Sequence, residues 1–312
     1  MLKSSLTVVA YHHFTAGPCP LTRHLGLSTP PDTFWRHLDY YRTNYNVVRL
    51  DDVFSGDLPE RPLLITIDDC YRSVLEIAVP MLKAARLPAV HFLNPEPALE
   101  PKVPLDNVLS LAVEELKIEA VADIVAPGFA CGALAALITG PVAKMGPAGR
   151  NEVKARLLDA LGVDEADLHQ ECRLFLSEAE VRALSARGVE LANHTRSHIH
   201  CRSASEAELA AEITGAKVAI EVMTGAPVRA FSFPYGNEAD ATPNALKILR
   251  KSGHRALFLV HARSNRARPA PDIWYRTSLT SEPASRLAWR LRLATELRSL
   301  KSLSKGLVSG AR

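Results

Sequence analysis

One apolar run, Leu63-Leu64-Ile65-Thr66-Ile67, follows Pro62 and ends on two adjacent aspartates, Asp68 and Asp69. A short, β-rich run of this kind reads as a central strand buried on both faces. Val74 to Ala85 then carries helical spacing, and Ala89 to Leu93 is a further short strand. Strand, helix, strand is the signature of parallel α/β architecture, because parallel strands cannot be joined by tight turns. Leu6 to Ala10 supplies an earlier strand, and Phe34, Leu38 and Tyr41 give Thr33 to Tyr45 a helical apolar face.

From about Pro95 to Glu178 the texture changes. Pro-rich ends flank helical patterns at Val108 to Ile124 and Arg150 to Leu161, with few strand signals, and the region reads as a helical insertion or cap. Alternation then resumes. Ser177 and Glu180 form a capping box that opens a helix over Glu178 to Ala186. Strands are expected at Val189 to Ala192, Val228 to Phe233 and Ala256 to Val260. Helices are expected at Ser205 to Met223, ended by Gly225, and at Pro243 to Ser252.

The 312 residues suit an α/β barrel of ~250 residues with an insertion, or two domains of ordinary size. With 47% apolar and 23% charged residues, whole-chain disorder and fibrous classes are excluded. A net charge of +3 gives no reason to expect a nucleic-acid partner. The five cysteines (Cys19, Cys70, Cys131, Cys172, Cys201) show no CxxC pair and read as reduced thiols. Leu6 to Ala10 is too short for a signal-peptide core, so a cytoplasmic location is expected. The uncharged stretch Ile124 to Ala143 is broken by Pro127, Gly128, Gly132, Gly140 and Pro141, which favours a buried or capping helix over a membrane span. The segment 284–312 holds seven Lys or Arg against Glu296, with Leu287, Leu291, Leu297 and Leu300 interleaved. It reads as a terminal helix packed by its leucines, or as a basic amphipathic tail touching the inner membrane surface.

Three constellations carry chemistry. Asp68-Asp69 stands at the end of a strand, where parallel α/β folds place their reactive groups. Two adjacent carboxylates suit one metal ligand and one general base, although a pair of aspartates can also simply cap a helix. His194-Thr-Arg-Ser-His198 follows the strand VELAN, and on a helical turn its histidines would share one face and reach one metal. Taken alone, that spacing is often structural; His200, two residues on, is expected to point elsewhere. In Phe231-Ser-Phe-Pro-Tyr-Gly236, Pro234 and Gly236 fix a tight loop that could aim a backbone N–H at a substrate oxygen, or be a plain turn. No GxGxxG or P-loop pattern supports a nucleotide enzyme.

Together these motifs resemble the polysaccharide deacetylase (NodB-homology) family, carbohydrate esterase family 4, over roughly Ser5 to Ser281. The family's TFDDG appears as Thr66-Ile67-Asp68-Asp69-Cys70, its H(S/T)xxH as His194 to His198, its RxPYG-like motif as Ser232-Phe233-Pro234-Tyr235-Gly236, and its opening YH as Tyr11-His12. The resemblance implies a distorted (β/α) barrel over 1–283, with the insertion at 95–178, and a divalent metal, zinc first, with cobalt, nickel or manganese acceptable. It implies Asp69, His194 and His198 as metal ligands, Asp68 as base and the Tyr235 N–H as an oxyanion donor. It implies removal of N-acetyl groups from an amino sugar of a glycan or glycan precursor. Three departures follow. Ser232 replaces the arginine that orients the base, and Arg276 in Trp274-Tyr275-Arg276 is expected to take over. Cys70 replaces a glycine and would be strained if that position needs positive φ. The histidine that protonates the leaving amine has no clean match: His261 and His12 are equal candidates, with His13 a rival.

A chain working inside the cell would meet a precursor, such as a lipid-linked or exopolysaccharide intermediate or a small acetylated metabolite. The alternatives are a related barrel amidase acting on a small non-sugar N-acyl compound, and a non-catalytic glycan-binding relative.

Overall fold

The computed structural model describes residues 5–261, 265, 270 and 272–295. Seven parallel strands form a closed barrel: β1 (Thr7–Tyr11), β2 (Pro62–Asp68), β3 (Val90–Leu93), β4 (Glu190–Asn193), β5 (Ala230–Ser232), β6 (Ala256–Val260) and β7 (Ile273–Ser278). Each strand pairs with its neighbour in sequence, and β7 closes the ring on β1 (Val9 opposite Thr277, Ala10 opposite Ser278). The two-residue strand Asn46–Val47 adds to the start of β2. The expected distorted (β/α) barrel with a helical insertion is the observed fold.

Alternation along the strands builds two cores. Val8, Leu64, Phe92, Ala192, Ala230, Phe258 and Trp274 pack together and fill the lumen. The intervening residues Val9, Ile65 and Ile67 face outward into the core under helices such as Pro31–Asn44 and Val79–Ala85. One consequence decides the site. Leu64, Thr66 and Asp68 share the inward face of β2, as do Trp274 and Arg276 on β7 and Ala230 and Ser232 on β5. Asp68, Arg276 and Ser232 therefore meet in the layer at the C-terminal mouth.

Helices replace strands between β3 and β4. The single helix expected over Val108 to Ile124 is two, Leu105–Leu116 and Ile118–Val125, broken at Lys117 with φ 74°. Within the uncharged stretch the helix Leu134–Thr139 stands between the end of Ile118–Val125 and a short 3-10 turn over Val142–Lys144, and among the described residues no helix is long and apolar enough to cross a membrane. Pro147–Leu161, Glu165–Cys172 and Glu178–Ala186 follow, the last with the Ser177–Glu180 capping box. The expected helix after Ser205 runs to Thr224 with one wide π turn over Ala211–Gly215. All five cysteines are free.

The C-terminal helix Ala284–Thr295 buries Leu287 and Leu291 in the same core as Leu38 and Tyr41. These two leucines are thus turned into the protein, as in a terminal helix packed by its leucines. Leu297, Leu300 and the rest of 296–312 lie outside the described residues.

Candidate active site

β2 ends at Asp68, and its carboxylate enters the barrel mouth almost without solvent exposure, at 2%. Arg276 meets it as a fork: Nη1 donates to Oδ1 at 2.7 Å and Nη2 to Oδ2 at 2.6 Å. The same guanidinium donates to Ser232 Oγ at 2.6 Å and to Thr66 Oγ1 at 3.1 Å, and lies 5.4 Å over the Phe92 ring. Burial alone would push the Asp68 carboxyl up. The guanidinium, with His194 and His12 adding to it, overrides that and holds it well below the usual carboxylate range. Asp68 is therefore ionised at neutral pH. Ser232 has too short a side chain to reach as an arginine would, and its hydroxyl instead accepts from Arg276.

The next residue, Asp69, has φ 72°, which turns its side chain out of the strand's alternation. This left-handed conformation is one that aspartate tolerates better than most residues. The strain expected at Cys70 thus sits one residue earlier. Cys70 has ordinary backbone, its thiol is buried, and its carbonyl accepts from the Leu176 N–H.

The histidine pair does not lie on a helical turn. β4 ends at Asn193, whose Oδ1 accepts the Thr195 N–H, and Thr195 (φ 62°) and His198 (φ 56°) are both left-handed. The loop is pinned again where Glu212 accepts both the backbone N–H and the hydroxyl of Ser197. The double reversal brings the two rings to 5.1 Å. Asp69 Oδ1 lies 3.6 Å from His194 Nε2 and 3.5 Å from His198 Nε2. Among the described residues these three form the one group of His, Cys, Asp or Glu able to share an ion.

The donor set fits a divalent cation. His194 Nδ1 faces the Ser232 carbonyl at 2.8 Å, and His198 Nδ1 faces Asp106 Oδ2 at 2.8 Å. Each Nδ1 therefore carries the proton, which leaves the Nε2 lone pair of both rings toward Asp69. Ligand atoms about 2.0–2.2 Å from a zinc ion stand roughly 3.3–3.6 Å apart in a tetrahedral shell, which the observed separations match. Burial lowers the His194 pKa to about 4, so that ring is neutral. For His198 the neighbouring Asp69 and Asp106 outweigh burial and raise it.

The remaining candidates separate. His12 lines the cavity with Nε2 3.9 Å from Asp68 Oδ2. His13 faces Ser28 Oγ and the Tyr71 ring instead. His261 follows β6, packs edge-on against Tyr275 at 5.8 Å and is not among the cavity-lining residues. Tyr235 is left-handed (φ 60°) in the turn after β5, and its ring stacks on His200 at 3.7 Å. Gly236 has to be glycine: a Cβ there would lie 2.5 Å from the Val260 nitrogen. These groups open into a cavity of about 270 Å³, walled by His24, Leu25 and Leu27 on one side and Ala135, Ile138 and Phe175 on another.

Two site residues have no counterpart among the sequence motifs. Asp106, in the first turn of Leu105–Leu116, accepts from His198 and from Tyr235 Oη at 2.7 Å. Arg150, on Pro147–Leu161, donates to Tyr235 Oη at 3.0 Å and to the His198 carbonyl at 3.1 Å.

The closed parallel barrel with carboxylates and imidazoles at its strand ends is the NodB-type (β/α)-barrel fold that the motifs imply. Residues 166–257 match the family model described as Polysaccharide deacetylase. That match agrees with the resemblance the three motifs carry. The match covers the second and third motifs, while the first lies upstream of the helical region. The fold is similar to that of the Streptococcus pyogenes deacetylase PplD, solved with acetate, at 13% identity and TM-score 0.61 over 93% of this chain and 99% of that one. It is similar to IcaB from Ammonifex degensii, at 18% identity and TM-score 0.56 over 93% and 97%. The BpsB deacetylase domain from Bordetella bronchiseptica aligns at 17% identity and TM-score 0.54 over 89% and 97%. No curated protein matches the chain.

Proposed function

We propose that this chain hydrolyses the N-acetyl amide of an amino sugar, presented as a single unit or a chain end. The observation that carries the reading is the convergence of Asp69, His194 and His198 on one point beside an ionised, arginine-held Asp68. The family match supports acetylated sugar as the substrate class.

Asp69, His194 and His198 would hold a divalent cation, zinc first. When bound, such an ion lowers the pKa of water and polarises an amide carbonyl. Asp68 accepts the proton of the attacking water, and the Arg276 fork keeps both its oxygens in one plane and orientation. The Tyr235 N–H, aimed by its left-handed turn, donates to the oxygen on which negative charge develops; one such donor is typically worth ~3 kcal/mol of barrier. His12 is within reach of the same space as Asp68 and gives a proton to the leaving amine. His261 does not line this cavity.

The cavity supports the size of the substrate. About 270 Å³ is at the small end of ligand sites, which run roughly 300–1,000 Å³. Walls from the 24–27 segment and the helical region leave room for one sugar rather than a polymer lying across the mouth. The same enclosure favours, as a second reading, a small non-sugar N-acyl compound.

Acetate release by the metal-loaded parent and Asp68→Asn, on N-acetyl sugars, chitooligosaccharides of increasing length and small N-acyl amines, tests the proposal. Release from sugars, confined to end units and lost in Asp68→Asn, is expected. Release only from non-sugar amines would select the second reading. No release from any, with the cation bound, would contradict both.

A further inference from the structure

We infer that Asp106, a residue of the helical region, is a positioning residue for the cation site and sets the ring of His198. The inference rests on the reading of Asp69, His194 and His198 as ligands.

The two histidines are anchored by different means. His194 directly follows β4, and its Nδ1 is tied to a backbone carbonyl of β5, so the barrel itself orients that ring. His198 stands on a loop in a left-handed conformation. No strand or helix backbone meets its Nδ1; the partner there is the Asp106 carboxylate. A carboxylate on the far nitrogen fixes the tautomer, restrains ring rotation and makes Nε2 a stronger donor than a carbonyl partner would.

Asp106 is itself held from three sides. It lies in the first turn of a 12-residue helix, where the helix dipole favours an anion. Tyr235 Oη donates to Oδ2, and Arg150 Nη2 lies 3.8 Å from Oδ1. Arg150 also donates to the His198 carbonyl, so the cation that balances Asp106 also clamps the histidine's backbone. Asp106 and Arg150 are both at least 94% buried, and their hydrogen bonds and ion pair run to His198, Tyr235 and each other. The helical region is in this account a structural part of the cation site as well as its wall.

The test is zinc affinity of the full chain, by competition with a chelator, for the parent, Asp106→Asn and Asp106→Ala. Losses of 10–100-fold are expected, the range for the outer partner of a metal-bound histidine, with Ala losing more because Asn can still accept from Nδ1. The cobalt-loaded visible spectrum should shift in both. A measurement on the parent alone guards against variants that fail to fold: nitrogen NMR of the zinc-loaded protein should show His198 protonated at Nδ1. Parent-like affinity and spectrum in both variants, or coordination through Nδ1, would overturn the inference while leaving the ligand reading intact. A parent that binds no divalent cation would overturn both.

Discussion

The barrel rim and the helical region between β3 and β4 meet at one cavity, yet they contribute on different terms. The rim supplies Asp68, Asp69 and His194 within a residue of a strand end, where the register of paired strands fixes each position. Asp68 is held by a guanidinium rising in the same layer from β7, on the other side of β1. The helical region supplies Asp106 and Arg150, which reach the site as side chains across an interface between elements. Three of the four converging groups thus have positions set by the barrel, whereas the fourth, His198, stands on a loop and takes its orientation from the helical region. Loop-joined regions of that kind can vary in sequence without undoing the barrel.

The largest effect expected is on the rim. Asp68→Asn should lower kcat by about 10²–10⁴-fold, the usual worth of a general base, with zinc affinity little changed. Arg276→Ala should follow closely. It strands a buried carboxylate, which costs about 3–5 kcal/mol of stability by denaturant unfolding, and turnover should fall with it. Unchanged turnover would remove Arg276 from the mechanism. The matched change in the helical region, Arg150→Ala, should cost less, because Asp106 keeps two other donors; an equal or larger loss would erase the contrast between the regions. His12→Ala should reduce turnover more than His261→Ala, and negligible loss at both would refute the pair. The smallest effect concerns pH. His37 is buried between Tyr11 Oη and the Glu282 carbonyl, and burial lowers its pKa to about 4. Its folded pKa lies below the unfolded value near 6.5, so its contribution is intact above that pH and is lost as pH falls toward 4. Melts of the metal-free chain should lose on the order of 1–2 kcal/mol from this group between pH 7 and 5, with a shallower slope in His37→Gln.

The sequence carried the rim because its chemistry is contiguous with strands that announce themselves. LLITI followed by two aspartates needs no partner from elsewhere to be read. The histidine pair was legible as a pair but not as a conformation: helical spacing suggested one face, whereas the Asn193 side chain and two left-handed residues fold the loop back. Arg276 was legible as a substitute because Ser232 left a vacancy in a known pattern. Asp106 looked like an ordinary acid opening a helix after Pro104. The one available signal was on Pro147–Leu161, where Arg150 and Lys154 share the buried face with Val153 and Leu157. Charges on the inner face of a helix require partners, and sequence spacing alone could not say that Lys154 would pair with Glu165 while Arg150 reached Tyr235 and His198.

Zinc stoichiometry and affinity of the parent, Asp68→Asn and Asp69→Asn, measured side by side, test the central claim most directly. One ion per chain in the parent, retained in Asp68→Asn and lost or weakened at least 10-fold in Asp69→Asn, is the predicted result. Equal affinities in all three proteins, or a parent without an ion, would contradict it.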